Sequence, residues 1–167
     1  MKTAPFLAGA ALLACFAAPA FAQEMFGLLE PLDPPEKRTV WVDTGFATYH
    51  FNRNKNLNGA NHGLGVEYQV RGDLALSVGR FYNSDREWSN YAGVLWQPLT
   101  YKRWRFGVVA AGFDGYPRMH SGGWFPAIIP AATYDFERIG VNIGFVPSYK
   151  DRLYGGISLQ LKFKVWN

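Results

Sequence analysis

The chain has 167 residues, a formal net charge of +4, 18 glycines, 17% aromatic residues and a single cysteine. This length fits one domain, and the mild positive charge does not require a nucleic-acid partner. Beyond the N-terminal segment no apolar run approaches the roughly 20 residues that a membrane-spanning helix needs. The sequence therefore excludes a helical membrane protein and gives no reason to expect nucleic acid as a partner.

Residues 1–22 are predicted to be a signal peptide. Lys2 supplies a small positive region, an apolar run follows, and the Ala-Phe-Ala at residues 20–22 has the small-x-small pattern that signal peptidase cleaves. An alternative is a lipoprotein cleavage site at Cys15. Cleavage after Ala22 leaves an exported protein without cysteine, so neither a disulfide nor a thiol nucleophile is expected.

The rest of the chain is predicted to be all-β. Residues 23–38 are rich in proline and are expected to form a tether with at most one helical turn. From residue 39 the apolar residues recur with a period of two, which is typical of strands. The predicted strands lie at residues 39–52, 63–71, 74–79, 88–97, 104–113, 125–134, 139–147 and 153–166.

The connections between these strands alternate in length. Those near Gly72, at residues 98–103 and at residues 135–138 are short, whereas most of the others are longer and polar. An even number of such strands behind a signal peptide indicates an eight-stranded antiparallel transmembrane β-barrel at residues 39–167, in the outer membrane of a Gram-negative bacterium. A soluble secreted barrel or sandwich is the alternative.

Strand parity predicts which side chains face the interior. Near the short turns the predicted interior is polar: Glu67, Gln69, Arg71, Gln97, Arg105, Lys162 and Lys164. Near the long loops it is apolar and rich in glycine: Gly63, Gly65, Gly79, Phe81, Tyr91, Gly93, Val109, Ala111, Phe113, Gly144, Val146 and Gly156. An eight-stranded barrel has room for side chains or one small ligand. Either the glycines line a pocket for a narrow apolar ligand, or the aromatic side chains fill the gaps.

The segment FYNSDREW, at residues 81–88, places an amide, a hydroxyl and a carboxylate next to one another. Asn83, Ser84 and Asp85 are candidates for chemistry, but they are also ordinary turn-forming residues. If the segment is extended, Asp85 is expected to point away from Ser84 because successive side chains alternate.

Three features of the sequence are shared with a known family. Pro126, Pro130 and Pro147, in WFPAIIPAATYDFERIGVNIGFVP, keep its proline spacing. The TYH at residues 48–50 and the FYNSDREW segment resemble the parts that carry its functional histidine and its Asp-Ser pair. On these residues the chain resembles the PagP-type lipid A palmitoyltransferases, small outer-membrane barrels that move an acyl chain from a phospholipid onto lipid A.

The resemblance implies catalytic roles for His50, Asn83 and Ser84, with Asn83 at the position of the family's aspartate. The implied acyl-binding residues are Gly93, Gly144, Phe113 and Tyr91. Lateral entry of lipid is implied at Pro126, Pro130 and Pro147, because paired prolines interrupt strand hydrogen bonding. The implied partners are phospholipid and lipid A or lipopolysaccharide, bound by a monomer without a cofactor or a metal.

The departures from the family pattern bear on activity more than on fold. An asparagine can orient a histidine ring but cannot balance the charge of an imidazolium. Asn83→Asp is therefore expected to raise the activity of an enzyme. The family's amphipathic helix is reduced to the tether, and Gly45 stands where the family has a proline. A non-catalytic small outer-membrane barrel that binds lipid or acts structurally is the alternative function.

Overall fold

A computed structural model describes residues 27–32, 38–150 and 153–167 of the chain. The predicted signal peptide at residues 1–22 lies outside the described residues, as does much of the predicted tether. None of the helices formed by the described residues is long and apolar enough to cross a membrane.

Strands make up most of the described chain. A two-residue strand, β1 (Glu30–Pro31), comes first, and single 3-10 turns occur at Arg53–Lys55 and His120–Gly122. The longer strands are β2 (Thr39–His50), β3 (Ala60–Arg71), β4 (Leu74–Tyr82), β5 (Trp88–Tyr101), β6 (Trp104–Phe113), β7 (Phe125–Phe136), β8 (Ile139–Val146) and β9 (Gly156–Trp166).

The strands β2 to β9 form a closed antiparallel barrel. Their order is β5-β4-β3-β2-β9-β8-β7-β6, and β6 pairs with β5 to close the ring. Short turns follow β3, β5 and β7, and longer loops follow β2, β6 and β8. The eight-stranded β-barrel predicted from the sequence is confirmed. We call the end with the short turns the turn half and the end with the longer loops the loop half.

Several strand ends differ from the predicted ones by one to four residues, and the largest difference is at the end of β5. The predicted bounds of the connection at residues 98–103 are wrong, because β5 continues to Tyr101 through a register shift between Trp96 and Leu99. The turn itself consists only of residues 102 and 103. The bulge at this register shift accommodates Pro98, which has no N–H to donate to a neighbouring strand. The carbonyl of Pro98 instead accepts a hydrogen bond from the N–H of Leu32, at 2.8 Å. At the other end of the barrel β4 extends to Tyr82, beyond the predicted end at residue 79.

Another irregularity in β2 decides which side chains face inward. The pairing of β2 shifts register around Gly45, between Thr44 and Phe46 in the ladder with β3 and between Asp43 and Phe46 in the ladder with β9. Before this point the buried residues of β2 are Thr39, Trp41 and Asp43, whereas beyond it the cavity-lining residues are Phe46, Thr48 and His50. A Cβ on Gly45 would collide with the carbonyl of Asn61, so the irregularity needs glycine.

The turn half is filled by charged and polar side chains. Lys162 Nζ lies 2.7 Å from Glu67 Oε1 and 3.2 Å from an oxygen of Asp135, which also pairs with Arg105 at 2.7 Å. Asp43 is fully buried beside them, and neither of its carboxylate oxygens has a hydrogen-bond partner among the described residues. The polar plug predicted from strand parity is confirmed for Glu67, Gln69, Gln97, Arg105 and Lys162. Arg71 is an exception, since it is exposed and pairs with Asp73 in the turn. Lys164 is only half-buried, with its Nζ 5.1 Å from the ring centre of Trp41.

Candidate functional site in the loop half

A cavity of about 140 Å³ occupies the loop half of the barrel. Most of its wall is apolar, with Phe46, Leu95, Val109, Ile129 and Val146 from five different strands. An engineered apolar cavity of about 150 Å³ can bind benzene, so a cavity of this size has room for a small apolar group. A pocket is therefore present where the glycine pattern allowed either a pocket or a packed core.

The glycines of the loop half have two different roles. A Cβ on Gly65 or Gly79 would collide with the ring or hydroxyl of Tyr91, so these two gaps are already filled by an aromatic side chain. A Cβ on Gly93 would collide with Ala111 across the β5–β6 ladder. By contrast, a Cβ on Gly144 would meet only the Cγ2 atom of Ile129, at 3.4 Å.

All four predicted acyl-binding residues line the cavity, but they contribute differently. Gly93 leaves room for the backbone of the neighbouring strand, and Tyr91 and Phe113 stack on each other with centroids 6.2 Å apart. Of the two glycines, only Gly144 has space beside its Cα. Packing and cavity therefore coexist in the loop half, and Gly144 marks the side of the barrel where free space remains.

The floor of the cavity is polar and is connected to the charged plug. Gln160 Nε2 donates to the hydroxyl of Tyr91 at 3.3 Å. Asn142 Nδ2 lies 3.3 Å from Gln160 Oε1 and donates to Glu67 Oε2 at 3.0 Å. An apolar ligand that enters from the loop half would meet hydrogen-bonded polar groups at this level, because the plug lies directly below.

His50 carries a free basic nitrogen at the cavity. It is the last residue of β2, and its Nε2 lies 3.1 Å from the carbonyl oxygen of Asn58. A carbonyl can only accept, so Nε2 carries the hydrogen, and in the neutral ring the lone pair is on Nδ1. Nδ1 is buried and has no hydrogen-bond partner among the described residues. This is the nitrogen that could take a proton from a bound hydroxyl.

The side-chain amide of Asn83 holds the turn that follows β4. Its Oδ1 accepts from the backbone N–H groups of Asp85, at 2.8 Å, and Glu87, at 3.1 Å. Its Nδ2 donates to the carbonyl of Gly115, at 2.7 Å, and to the hydroxyl of Ser89, at 3.0 Å. Asn83 is fully buried, and with both donors and both acceptor positions occupied it has no atom left to orient His50.

Ser84 and Asp85 both line the cavity. Asp85 was expected to point away from Ser84 only in an extended segment, and this condition is not met, because residues 83–87 form a turn. The N–H of Asn83 donates to the carbonyl of Glu87 at 2.8 Å, and Arg86 has a positive φ of 63°. The side-chain alternation of a strand therefore does not apply to this segment, and both residues reach the cavity.

Asn58 is a site residue that the sequence did not reveal. Its N–H donates to the carbonyl of Ser84 at 3.0 Å, its own carbonyl lies 3.1 Å from the ring of His50, and its Nδ2 donates to the carbonyl of Asn83 at 3.2 Å. Asn58 therefore ties the loop after β2 to the turn after β4. Nothing in the polar stretch NLNGAN distinguishes Asn58 from its neighbours, since its contacts are with residues far away in the sequence.

The barrel wall has a gap between β7 and β8 in the loop half. The β7–β8 ladder ends at the pair Ala131–Gly144, whereas β7 continues along β6 to Phe125. Pro126 and Pro130 pair with β6 without a register shift. The backbone N–H that each proline lacks is therefore the one that would face β8, where a ladder would need it. Pro147 immediately follows β8 at the same gap. The three prolines thus border an interruption of the wall beside the cavity.

No known protein-family model matches the sequence, and no curated protein is significantly similar to it. Within the described ranges, no group of three or more His, Cys, Asp or Glu side chains is placed to hold a metal ion.

Proposed function

We propose that the protein is an outer-membrane acyltransferase that moves an acyl chain from a phospholipid onto lipid A, as a divergent member of the PagP-type enzymes. The observation that carries this proposal is the apolar cavity whose lining includes Ser84 and His50, with an unpartnered basic nitrogen on the ring. A narrow apolar cavity suits an acyl chain, and a hydroxyl and an imidazole suit the transfer of its ester.

The surface of the barrel supports its placement in a membrane. Apolar side chains point outward along the strands, as with Leu64 and Ile128, which are 66% and 68% exposed, while Lys162 and Glu67 are buried inside. Exposed aromatic residues occur at both ends: Tyr49, Trp88, Phe145 and Tyr149 in the loop half, and Tyr101, Phe136 and Trp166 in the turn half. An apolar band between aromatic girdles is the pattern of outer-membrane barrels.

The gap between β7 and β8 supports entry of the donor lipid from the side. A phospholipid that entered beside Pro130 would place its acyl chain against Gly144 and Ile129, which border the free space of the cavity. The ester group would then remain at the mouth, because the polar floor at Gln160 limits how deep the chain can go.

The transfer needs one proton acceptor and one stabiliser of negative charge. His50 Nδ1 takes the proton of a lipid A hydroxyl as its oxygen attacks the carbonyl carbon of the phospholipid ester. The hydroxyl of Ser84 donates a hydrogen bond to the oxyanion that forms. The old ester C–O bond then breaks, and the leaving glycerol oxygen takes the proton from His50. The products are a lysophospholipid and lipid A with one more acyl chain.

Mass spectrometry of lipid A from cells that express the protein tests this proposal. The parent should add one acyl chain, and Ser84→Ala and His50→Ala should each reduce the addition by about 100-fold or more. Matched controls are Ser121→Ala and His62→Ala, which lie outside the cavity lining and should keep parental activity. All variants should be recovered in the outer-membrane fraction.

Two results would contradict the proposal. If the folded parent leaves lipid A unchanged, the protein is not a lipid A acyltransferase. If activity survives both Ser84→Ala and His50→Ala, the reaction takes place at another site.

A non-catalytic lipid-binding barrel is the second candidate. It is favoured by the engagement of Asn83 within its own turn, because no carboxylate contacts the ring of His50 among the described hydrogen bonds. This candidate predicts that a lipid or detergent co-purifies in the cavity while lipid A is identical with and without the protein.

A further inference from the structure

The mouth of the cavity contains a negative charge that Asn83 cannot supply. We propose that Asp85 is the charge partner of His50, and that it stabilises the imidazolium formed when the ring takes a proton. This inference rests on the proposed function and identifies the residue on which its proton transfer depends. Asp85 acts through His50 and is not assigned a contact with the reacting atoms.

The turn after β4 is built to direct Asp85 into the cavity. Asn83 Oδ1 accepts the N–H of Asp85 at 2.8 Å, and the positive φ of Arg86, 63°, lets the chain reverse directly afterwards. Asp85 is half-buried, and its carboxylate forms no ion pair with another described residue. Among the described residues that line the cavity, Asp85 carries the one carboxylate.

Asn58 places this turn next to His50. The carbonyl of Asn58 lies 3.1 Å from His50 Nε2, and its N–H donates to the carbonyl of Ser84, the residue before Asp85, at 3.0 Å. Two hydrogen bonds through one residue therefore separate the ring from the turn. Nδ1, the atom that would take the proton, has no hydrogen-bond partner among the described residues.

The other titratable groups at the cavity do not provide this negative charge. Tyr91, Tyr116 and Tyr154 line the wall and are neutral near pH 7, as ordinary phenols are. Burial raises the pKa of Tyr116, and the negative charge of Asp85 raises it further, which is consistent with a carboxylate close to this phenol.

The nearby cations face other partners. The guanidinium of Arg118 and the ammonium of Lys55 lie 5.3 Å and 5.5 Å from the ring centre of Tyr154. Arg86 donates to the carbonyl of Asn56 at 2.8 Å. These cations therefore have partners other than Asp85, and none of them pairs with its carboxylate among the described residues.

The titration of His50, followed by NMR of imidazole-labelled protein in detergent micelles, tests the pairing directly. The sequence has three histidines, and His50→Ala identifies the signal of His50. Removing the carboxylate in Asp85→Asn disfavours the charged ring, so the midpoint should fall by about 0.5 pH units or more. Asp85→Glu, which keeps the charge, should stay close to the parent. Glu87→Gln removes an exposed carboxylate from the same turn and should leave the midpoint unchanged.

An unchanged or raised midpoint in Asp85→Asn would overturn the inference, and so would an equal fall in Glu87→Gln. This readout needs no catalysis, so it separates the inference from the proposed function. If the parent transfers acyl chains, Asp85→Asn should also slow transfer by about 10-fold or more and shift the acid limb of the pH–rate profile to lower pH. If the parent is inactive but the midpoint falls, the acyltransferase proposal fails while the charge pairing stands.

Discussion

The buried ion pair of Lys162 and Glu67 allows the polar plug to be tested quantitatively. The two side chains are 0% and 1% exposed, and the nitrogen and oxygen are 2.7 Å apart. In Lys162→Met, Glu67 keeps one hydrogen bond, from Asn142, and its charge is left buried near the fully buried Asp43. Leaving such a charge without its partner costs about 3–5 kcal/mol of the free energy of unfolding.

A second substitution should recover most of this loss. In Lys162→Met with Glu67→Gln the uncompensated charge is gone, and the amide oxygen that replaces the carboxylate can still accept from Asn142. We expect the double variant to unfold within about 1–2 kcal/mol of the parent, so the second substitution should recover about 1–4 kcal/mol of the loss. The control is Lys164→Met in the same strand. Lys164 is half-buried and forms no ion pair among the described residues, so its loss should cost about 0–1 kcal/mol.

Urea unfolding in lipid vesicles, followed by tryptophan fluorescence, measures these differences. An effect of this size is a large part of the roughly 5–15 kcal/mol that stabilises an ordinary domain. Equal costs for Lys162→Met and Lys164→Met would refute the special role of the Lys162–Glu67 pair, and so would a double variant as unstable as Lys162→Met alone.

Two further predictions concern the loop half. Asn83→Asp places a carboxylate oxygen where Nδ2 now donates to the carbonyl of Gly115 at 2.7 Å. Because two oxygens would then face each other, the substitution should destabilise the turn by about 2–4 kcal/mol. It should also lower transfer activity, whereas the sequence alone predicted an increase. Faster hydrogen exchange of the turn amides measures the destabilisation, and the exposed Asn54→Asp should show no change. Gly144→Leu should shorten or remove a bound detergent or acyl chain, as measured by native mass spectrometry, and should have little effect on the free energy of unfolding. Gly93→Leu should instead lower the free energy of unfolding, because its side chain would collide with Ala111. Equal ligand occupancy in Gly144→Leu and the parent would contradict the assignment of the free space.

The sequence predicted the barrel because strand parity is a local signal repeated in every strand. The charged residues Glu67 and Lys162 are 95 residues apart in the chain, yet each falls on the inward parity of its own strand, so both could be assigned to the plug without knowledge of their contact. The same rule correctly gave the apolar, glycine-rich loop half. It could not decide which glycines border free space, since that depends on the placement of Tyr91 over Gly65 and Gly79.

The candidate site was less predictable because it depends on irregular backbone. The register shift at Gly45 reverses the inward parity of β2, and the partners of Asn83 include Gly115, which is 32 residues away. Neither the shift nor the pairing of two loops has a periodic signature. The sequence therefore identified the residue types at the mouth, whereas their roles follow from the turn and from Asn58.

The distribution of stabilising contacts explains how one half of the barrel can remain open. The turn half has a buried ionic network around Lys162, and the paired charges of this network resist displacement because an unpaired charge there is costly. The loop half has a cavity and a β7–β8 ladder that ends at Ala131, both of which forgo packing and hydrogen bonds. If lipid enters through this wall, as we propose, the wall cannot also be fully paired. The plug therefore stabilises the barrel at one end while the other end keeps a gap, and the register shift at Gly45 turns His50 into the cavity beside that gap.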